Sequence, residues 1–317
     1  MNTIRGITEA HTGDYTVVGG NDALCESNIS LVLLNRGGRY MLKNVIERLN
    51  ALGFDQIFSV EPSLENWEIE ELSQCYPRVR FVLFNQSSTV GERINTAAQE
   101  MKSDHFLVVW NDACTIQGGP ASRIASRLNG DLLLSVPTLL NNRYEAAPIV
   151  KNPVLVKGAV NIMPSAATRE GTNSLYPHDY AGLYERKRFL SLGGYDGGIA
   201  SCWMQLLDFG FRAHLQGELI KTTQSFKLVC DDEVPPEDQT PNADVNRFWL
   251  KNIAPVLLNG YAHIPWRKFP RYLLRAGENP FEALREFREG REWVLLNRYR
   301  FVADARTLIE DWENPDL

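Results

Sequence analysis

The chain has 317 residues, 44% apolar and 23% charged, and its 33 Lys and Arg against 39 Asp and Glu leave a net charge of −6. That length predicts about two domains, or one large α/β domain with an appendage. The acidic balance argues against a nucleic-acid binder, which carries a basic surplus. Apolar runs such as 29–34 and 106–110 fall far short of the ~18–20 residues of a membrane span. No apolar stretch follows a basic cluster at the N-terminus, so a secretory signal is not expected. Five scattered cysteines (Cys25, Cys75, Cys114, Cys202, Cys230) form no Cys-x-x-Cys pair. They predict reduced, mostly buried thiols in a cytoplasmic protein rather than a disulfide scaffold or zinc ribbon.

Residues 1–27 are polar and aperiodic and read as an N-terminal arm with one short strand at Tyr15–Val18. Ile29-Ser-Leu-Val-Leu-Leu34 is a short apolar run, suited to a strand buried on both faces. A helix follows Gly37-Gly38, with Tyr40, Leu42, Val45, Ile46, Leu49 and Leu52 on one side and Gly53 closing it. Then come a strand at Gln56–Val60, a helix at Leu64–Gln74, a strand at Val79–Phe84, a helix at Val90–Met101 and a strand at His105–Trp110. Strand and helix alternating over short links predict a mostly parallel sheet with helices on both faces.

Beyond Trp110, a helix is expected at Pro120–Leu128 and a strand at Asp131–Val136. The Asn-, Pro- and Gly-rich stretch 138–180 reads as a functional loop, with short strands at Pro153–Lys157 and Val160–Met163. Helices are expected at Leu183–Leu190 and Cys202–Gln216, and closing strands at Glu218–Lys221 and Ser225–Cys230. An acidic, Pro-rich break at 230–238 then divides a body (28–230) from a mostly helical extension (231–317).

Parallel α/β sheets bind ligands beyond the carboxyl ends of their strands. Here those ends carry Asn35 and Arg36, then Glu61, then Asn85, then Asn111 and Asp112. The Gly-rich dinucleotide fingerprint, the phosphate loop, the His-Glu zinc helix and the nucleophile elbow are all missing.

Four segments in order over 29–260 resemble the family 2 glycosyltransferases, of GT-A fold. They are the strand ending in Asn35-Arg36, the stretch with Gly91 and Asn95 opening a helix, the basic run leading into Gly193-Gly194-Tyr195-Asp196, and the helix from Trp203 to Arg212 with Gly217 beyond. The resemblance implies a nucleotide-diphospho-sugar donor at Asn35, Arg36, Glu61, Gly91, Arg93, Asn95, Asn111 and Asp112. It implies an acceptor side at Gly193, Gly194, Tyr195 and Trp203.

The departures are equally specific. The family's Asp-x-Asp, which holds the diphosphate through Mg²⁺ or Mn²⁺, is here Asn111-Asp112-Ala113, leaving Asp112 as the one metal-binding carboxylate. A metal-independent enzyme is therefore an open alternative. Its Glu-Asp pair, which includes the base, is here Gln205-Leu206. Catalytic candidates are then Asp208, which matches a later Asp of that motif, Asp196, and the pair His178-Asp179. A transfer without a metal needs arginines to neutralise the leaving diphosphate, and Arg36, Arg93, Arg186 and Arg188 are the ones in reach.

From 261 to 300 nine basic residues face five acidic ones, and Trp266-Arg-Lys-Phe-Pro-Arg-Tyr-Leu-Leu-Arg275 interleaves aromatics with cations. This pattern suits a helix packing its aromatic face on the body, or a peripheral contact with an anionic membrane carrying a lipid-linked acceptor. The expected activity is sugar transfer to a glycan, lipid-linked or other hydroxyl acceptor in surface polysaccharide or glycoconjugate synthesis, without a nucleic-acid partner. The alternative is a non-catalytic GT-A protein that binds a sugar nucleotide or glycan or scaffolds a partner.

Overall fold

The computed structural model describes residues 15–20, 27–36, 42–61, 67–128, 130–156, 159–240, 242–277 and 279–313. Most of the N-terminal arm, Gly37-Gly38, Tyr40 and the first turn expected at Leu64 lie outside them.

In chain order the elements are β1 (Tyr15–Gly19), β2 (Ile29–Leu34), α1 (Leu42–Asn50), β3 (Ile57–Glu61), α2 (Trp67–Cys75), β4 (Val79–Phe84), α3 (Val90–Glu100) and β5 (His105–Trp110). Next are β6 (Thr115–Gln117), α4 (Ala121–Ala125), β7 (Leu134–Leu140), β8 (Val150–Val156), β9 (Ala159–Ser165), β10 (Gly182–Glu185), α5 (Arg186–Leu192), α6 (Cys202–Leu215) and β11 (Ile220–Val229). The C-terminal part holds α7 (Asp244–Phe248), β12 (Val256–Leu258), β13 (Tyr261–His263), α8 (Phe269–Ala276), α9 (Pro280–Asn297) and α10 (Ala305–Glu313).

Nine strands form one sheet in the order β1-β4-β3-β2-β5-β10-β7-β11-β6. The run β4-β3-β2-β5 is parallel, as mostly apolar strands lead one to expect: all six residues of β2 are buried, Ser30 included. β10 inserts antiparallel between β5 and β7, and β11 runs parallel to β7. The expected strand at Tyr15 is present as an edge, antiparallel to β4.

Two expectations are corrected. The segment expected to be helical from Leu183 starts as β10, because Leu183 and Tyr184 are buried between β5 and β7. The helix begins only at Arg186, where Glu185 accepts from the amides of Lys187 and Arg188. The two closing strands are one strand, β11, whose register shifts between Thr223 and Lys227. The residues left between the two expected strands lie at that irregularity.

The helices seat on this sheet by their apolar faces. In α1 Leu42, Val45, Ile46 and Leu49 are buried at three- and four-residue spacing. A capping box opens α3: the Thr89 side chain accepts from Glu92 N, and the Glu92 carboxylate accepts from Thr89 N at 2.7 Å. All but three of the fourteen residues of α6 are buried. The C-terminal helices join the same hydrophobic core through Phe248, Trp249, Tyr272, Phe287 and Ile309. Among the described residues no helix is long and apolar enough to cross a membrane, and Cys75, Cys114, Cys202 and Cys230 are free thiols. Cys75 and Cys202 are exposed, contrary to the expectation of mostly buried thiols.

Candidate functional site

The parallel strands end level with one another, Leu34 beside both Val60 and Trp110, so the residues just past them meet. Asn111 clamps the backbone of Arg36, its Oδ1 accepting from Arg36 N at 3.2 Å and its Nδ2 donating to Arg36 O at 3.1 Å. Held this way, Arg36 grips Asp112 with two nitrogens, Nε to Oδ2 at 2.6 Å and Nη2 to Oδ1 at 3.0 Å. Its Nη1 donates to Asp179 Oδ2 at 2.6 Å. The guanidinium lies 4.3 Å from the centroid of the Trp110 ring, and Trp110 Nε1 donates to Asp179 O at 2.8 Å. Asp179 is held by these contacts in a left-handed conformation, φ 50° and ψ 40°. Burial opposes the Arg36 charge, but its hydrogen bonds to Asp112 and the charges of Asp179 and Asp112 outweigh it and raise the pKa. At Asp179 burial dominates and pushes the carboxyl up, despite the opposing pull of Arg36.

Beside this network Asn35 Nδ2 donates to Glu61 Oε1 at 2.8 Å, and Ser59 Oγ donates to the same oxygen at 2.9 Å. Glu61 has no exposed surface, so its place is behind Asn35 and not against a ligand, a correction to the contact expected of it. Arg93 is anchored to Ser88 Oγ and O at 3.1 and 3.0 Å. Burial lowers its pKa, offset by the nearby Cys202 and Glu61.

Arg36 and Asp179 open onto a cavity of about 580 Å³, walled further by Cys202, Trp203, Leu206, Pro235, Pro236 and Glu237. The acidic, Pro-rich break thus forms one wall of the cleft. Glu237 is fixed there by Lys151 Nζ at 2.9 Å. His178 presents Nδ1 to Lys151 Nζ at 3.1 Å and Nε2 to Pro235 O at 2.9 Å. With both nitrogens engaged, His178 fastens this wall and is not placed as a free base. Trp203 lines the cavity, its Nε1 donating to Tyr176 OH at 3.1 Å. Trp110, Lys151, Tyr176 and Glu237 were not singled out from sequence, and only the acidity of 231–238 hinted at one of them.

The remaining candidates lie elsewhere. Asp208 is wholly buried: it accepts from Arg212 Nε at 2.7 Å and Asn252 Nδ2 at 2.8 Å, with Lys251 Nζ at 3.3 Å. Asp196 binds Arg247 Nε at 2.7 Å and Lys251 Nζ at 2.6 Å. Against the cost of burial, Lys251 and Arg247 hold Asp196 far below the usual carboxylate range. At Asp208 the same cost is overcome by Arg212 and then Lys251. Neither residue lines the cavity, which corrects their expected role as bases: together they tie the Gly-Gly turn and α6 to the C-terminal part.

Gly91, Asn95, Gly194 and Tyr195 form a packing joint instead of a ligand surface. Gly91 N donates to Gln205 Oε1 at 2.9 Å, and a Cβ on Gly91 would collide with Tyr195 and Gln205. Asn95 brackets Tyr195, donating to its carbonyl at 2.7 Å and accepting from its amide at 2.9 Å. Gly193 and Gly194 adopt positive φ, 89° and 61°, in the turn that ends α5. The Tyr195 ring is buried, its hydroxyl 2.8 Å from that of Tyr184. Arg186 donates to Ala98 O and Arg188 to Glu218, so both are spent away from the cleft.

A divalent cation needs several oxygen or nitrogen donors on one point. Among the described residues no group of three or more His, Cys, Asp or Glu is placed to hold one. Both Asp112 oxygens and one of Asp179 already accept from Arg36. This donor set does not fit a metal as it stands.

No family model matches the sequence, and no curated protein matches it. Solved structures do. GalNAc-T7, in a structure with UDP, GalNAc and Mn²⁺, aligns with a TM-score of 0.53 at 12% identity, over 84% of this chain and 56% of its own. This chain therefore spans little more than half the length of that protein. TarS from S. aureus (residues 1–349) aligns at 0.47 with 12% identity, over 83% of this chain and 70% of its own. The mannosyltransferase PcManGT from Pyrobaculum calidifontis, with GDP-Man and Mn²⁺, aligns at 0.43 with 9% identity, over 87% and 75%. At such identities the likeness defines architecture: the chain is an α/β protein with a GT-A fold.

Proposed function

We propose that this chain is a glycosyltransferase that takes a sugar from a nucleotide-diphospho-sugar and passes it to a hydroxyl acceptor, glycan or lipid-linked. The observation that carries the reading is the Arg36–Asp179 pair, set at the carboxyl ends of parallel strands and opening onto the cavity. GalNAc-T7, a neighbour of the same fold solved with UDP and GalNAc, supports the donor class. Asp179 is the base: it lines the cavity, and its burial-raised pKa makes it a better proton acceptor than an exposed carboxylate. Arg36 and Arg93 supply positive charge toward the leaving diphosphate. Trp203 offers a flat apolar face to the acceptor. Two neighbours hold Mn²⁺, but the donor set here leads us to assign no step to a divalent cation.

A second reading, a non-catalytic GT-A protein that binds a sugar nucleotide, is favoured by one observation. Asp112 and Asp179 are both committed to Arg36, while Leu206 stands in the cavity wall where the family resemblance expects an acid. Calorimetry and turnover assays with UDP-, GDP- and TDP-linked sugars, with Mn²⁺ and with chelator, separate the two. We expect turnover that Asp179→Asn lowers by ~10²–10⁴-fold with donor affinity retained. Binding without turnover selects the second reading, and absence of binding to every donor removes both.

A further inference from the structure

The segment that interleaves aromatics with cations divides its faces in the folded chain. Tyr272 has no exposed surface, and the rings of half-buried Phe269 and exposed Trp266 lie against Phe287 at 5.3 and 5.6 Å. Arg267, Arg271, Leu274 and Arg275, spaced by three and four residues, all face outward. Leu274 is 88% exposed, and Phe281, in the first turn of the following helix, is 86% exposed. Near-complete exposure marks side chains that protrude instead of lining a groove. Between 267 and 275 stand four cations and no acid. Among the described residues no ion pair joins Arg267, Arg271 or Arg275 to a carboxylate. Burial and then the neighbouring Arg271 lower the pKa of Arg275, so the cluster repels itself.

We propose that this face docks on an anionic lipid bilayer, with Leu274 and Phe281 inserted among the headgroups and Arg267, Arg271 and Arg275 on lipid phosphates. Two protruding apolar side chains beside arginines that no carboxylate among the described residues pairs supply the two signals that stable surface attachment needs. The arginine stems lie along the apolar layer while their heads stay at the phosphates. The face also stands close to the cleft. Asn246 of α7 donates to Ala276 O at 3.3 Å, and Asp244 of the same helix accepts from Ala200 N and Ser201 N at 3.1 and 2.8 Å, both residues of the cavity wall. One short helix therefore separates the docking face from the cavity. On the transferase reading this brings a lipid-linked acceptor beside the site, but the docking itself does not depend on that reading.

The test is co-sedimentation of the full chain with vesicles of phosphatidylcholine alone and of phosphatidylcholine with phosphatidylglycerol, at low and high salt. Binding is expected to the anionic vesicles only and to weaken with salt. Arg271→Gln with Arg275→Gln lowers it by about 25-fold, about fivefold for each arginine. Leu274→Ser with Phe281→Ser removes the binding that survives at high salt. Both pairs are solvent-exposed, so unchanged circular dichroism and unchanged sugar-nucleotide binding are expected. Failure to sediment with anionic vesicles at low salt overturns the proposal, as does sedimentation that neither pair alters. A wild-type dimer that Leu274→Ser with Phe281→Ser converts to monomer overturns it too, since copies of the chain would then cover this face.

Discussion

Two sets of carboxylates in this molecule meet the same kind of partner in opposite surroundings. At the cleft, Asp112 is 43% exposed and its partner Arg36 28%. Beneath the Gly-Gly turn, Asp208 is 0% exposed and Arg212 3%. The first network keeps surface that a ligand can reach. The second has little, and its three cations come from α6, α7 and the helical segment that continues α7, so it binds the C-terminal part to the body. What separates a site from a strut here is access to water, not the type of charge or its place in a motif.

Substitutions in the two networks test that contrast. The largest effect is expected from Asp208→Ala, which leaves Arg212, Arg247 and Lys251 around one remaining carboxylate. Removing one partner of a buried pair costs about 3–5 kcal/mol, readable as a lower urea midpoint, with sugar-nucleotide affinity unchanged in the folded protein.

Acid should act on the same cluster. Asp196 and Asp208 are held below the ordinary carboxylate value, so on acidification the unfolded chain takes up protons before the folded one. Their contribution is full above ~4 and is lost as pH falls below it. The urea midpoint should therefore fall as pH drops below ~4, where the unfolded carboxylates take up protons, and less steeply in Asp208→Asn. Equal slopes would show that the buried cluster does not carry the acid sensitivity.

A smaller loss, about 1–3 kcal/mol, is expected for Gly91→Ala, whose new methyl meets Tyr195 and Gln205. If that variant instead kept its thermal midpoint and lost donor binding, the joint would have to be counted as part of the site. The smallest effect is expected at the rim. Asp112→Asn breaks a partly exposed pair, and its effect on stability should stay under ~1 kcal/mol. A loss as large as that of Asp208→Ala would erase the distinction between the two networks.

Much of the scaffold was legible in advance. The strands 29–34, 79–84 and 105–110 begin and end where the sequence predicts, because a strand buried on both faces is a mostly apolar run followed by polar residues. Those polar ends also point to Arg36, Asn111 and Asp112, which do meet, and to Asn35, which turns to Ser59 and Glu61. β10 was missed because four residues carry too little periodicity to tell a strand from a first helical turn. Asp208, Asp196, Gly91, Asn95 and Tyr195 were read as site residues from their positions in motifs. Their burial depends on segments far off in the chain, Asn252 and Lys251 for Asp208 and Gln205 for Gly91. Glu237 was overlooked because its Pro-rich surroundings resemble a linker. Its partner Lys151 lies 86 residues away.

By itself, then, the order of residues determined the parallel core, the level at which its strands end and the polar groups placed there, since each depends on a hydrophobic pattern written in neighbouring positions. Only the tertiary structure decided which charges face the cavity and which are sealed beneath the Gly-Gly turn. The exposure of a charged group is set by whatever distant segment folds over it, and no local pattern records that segment.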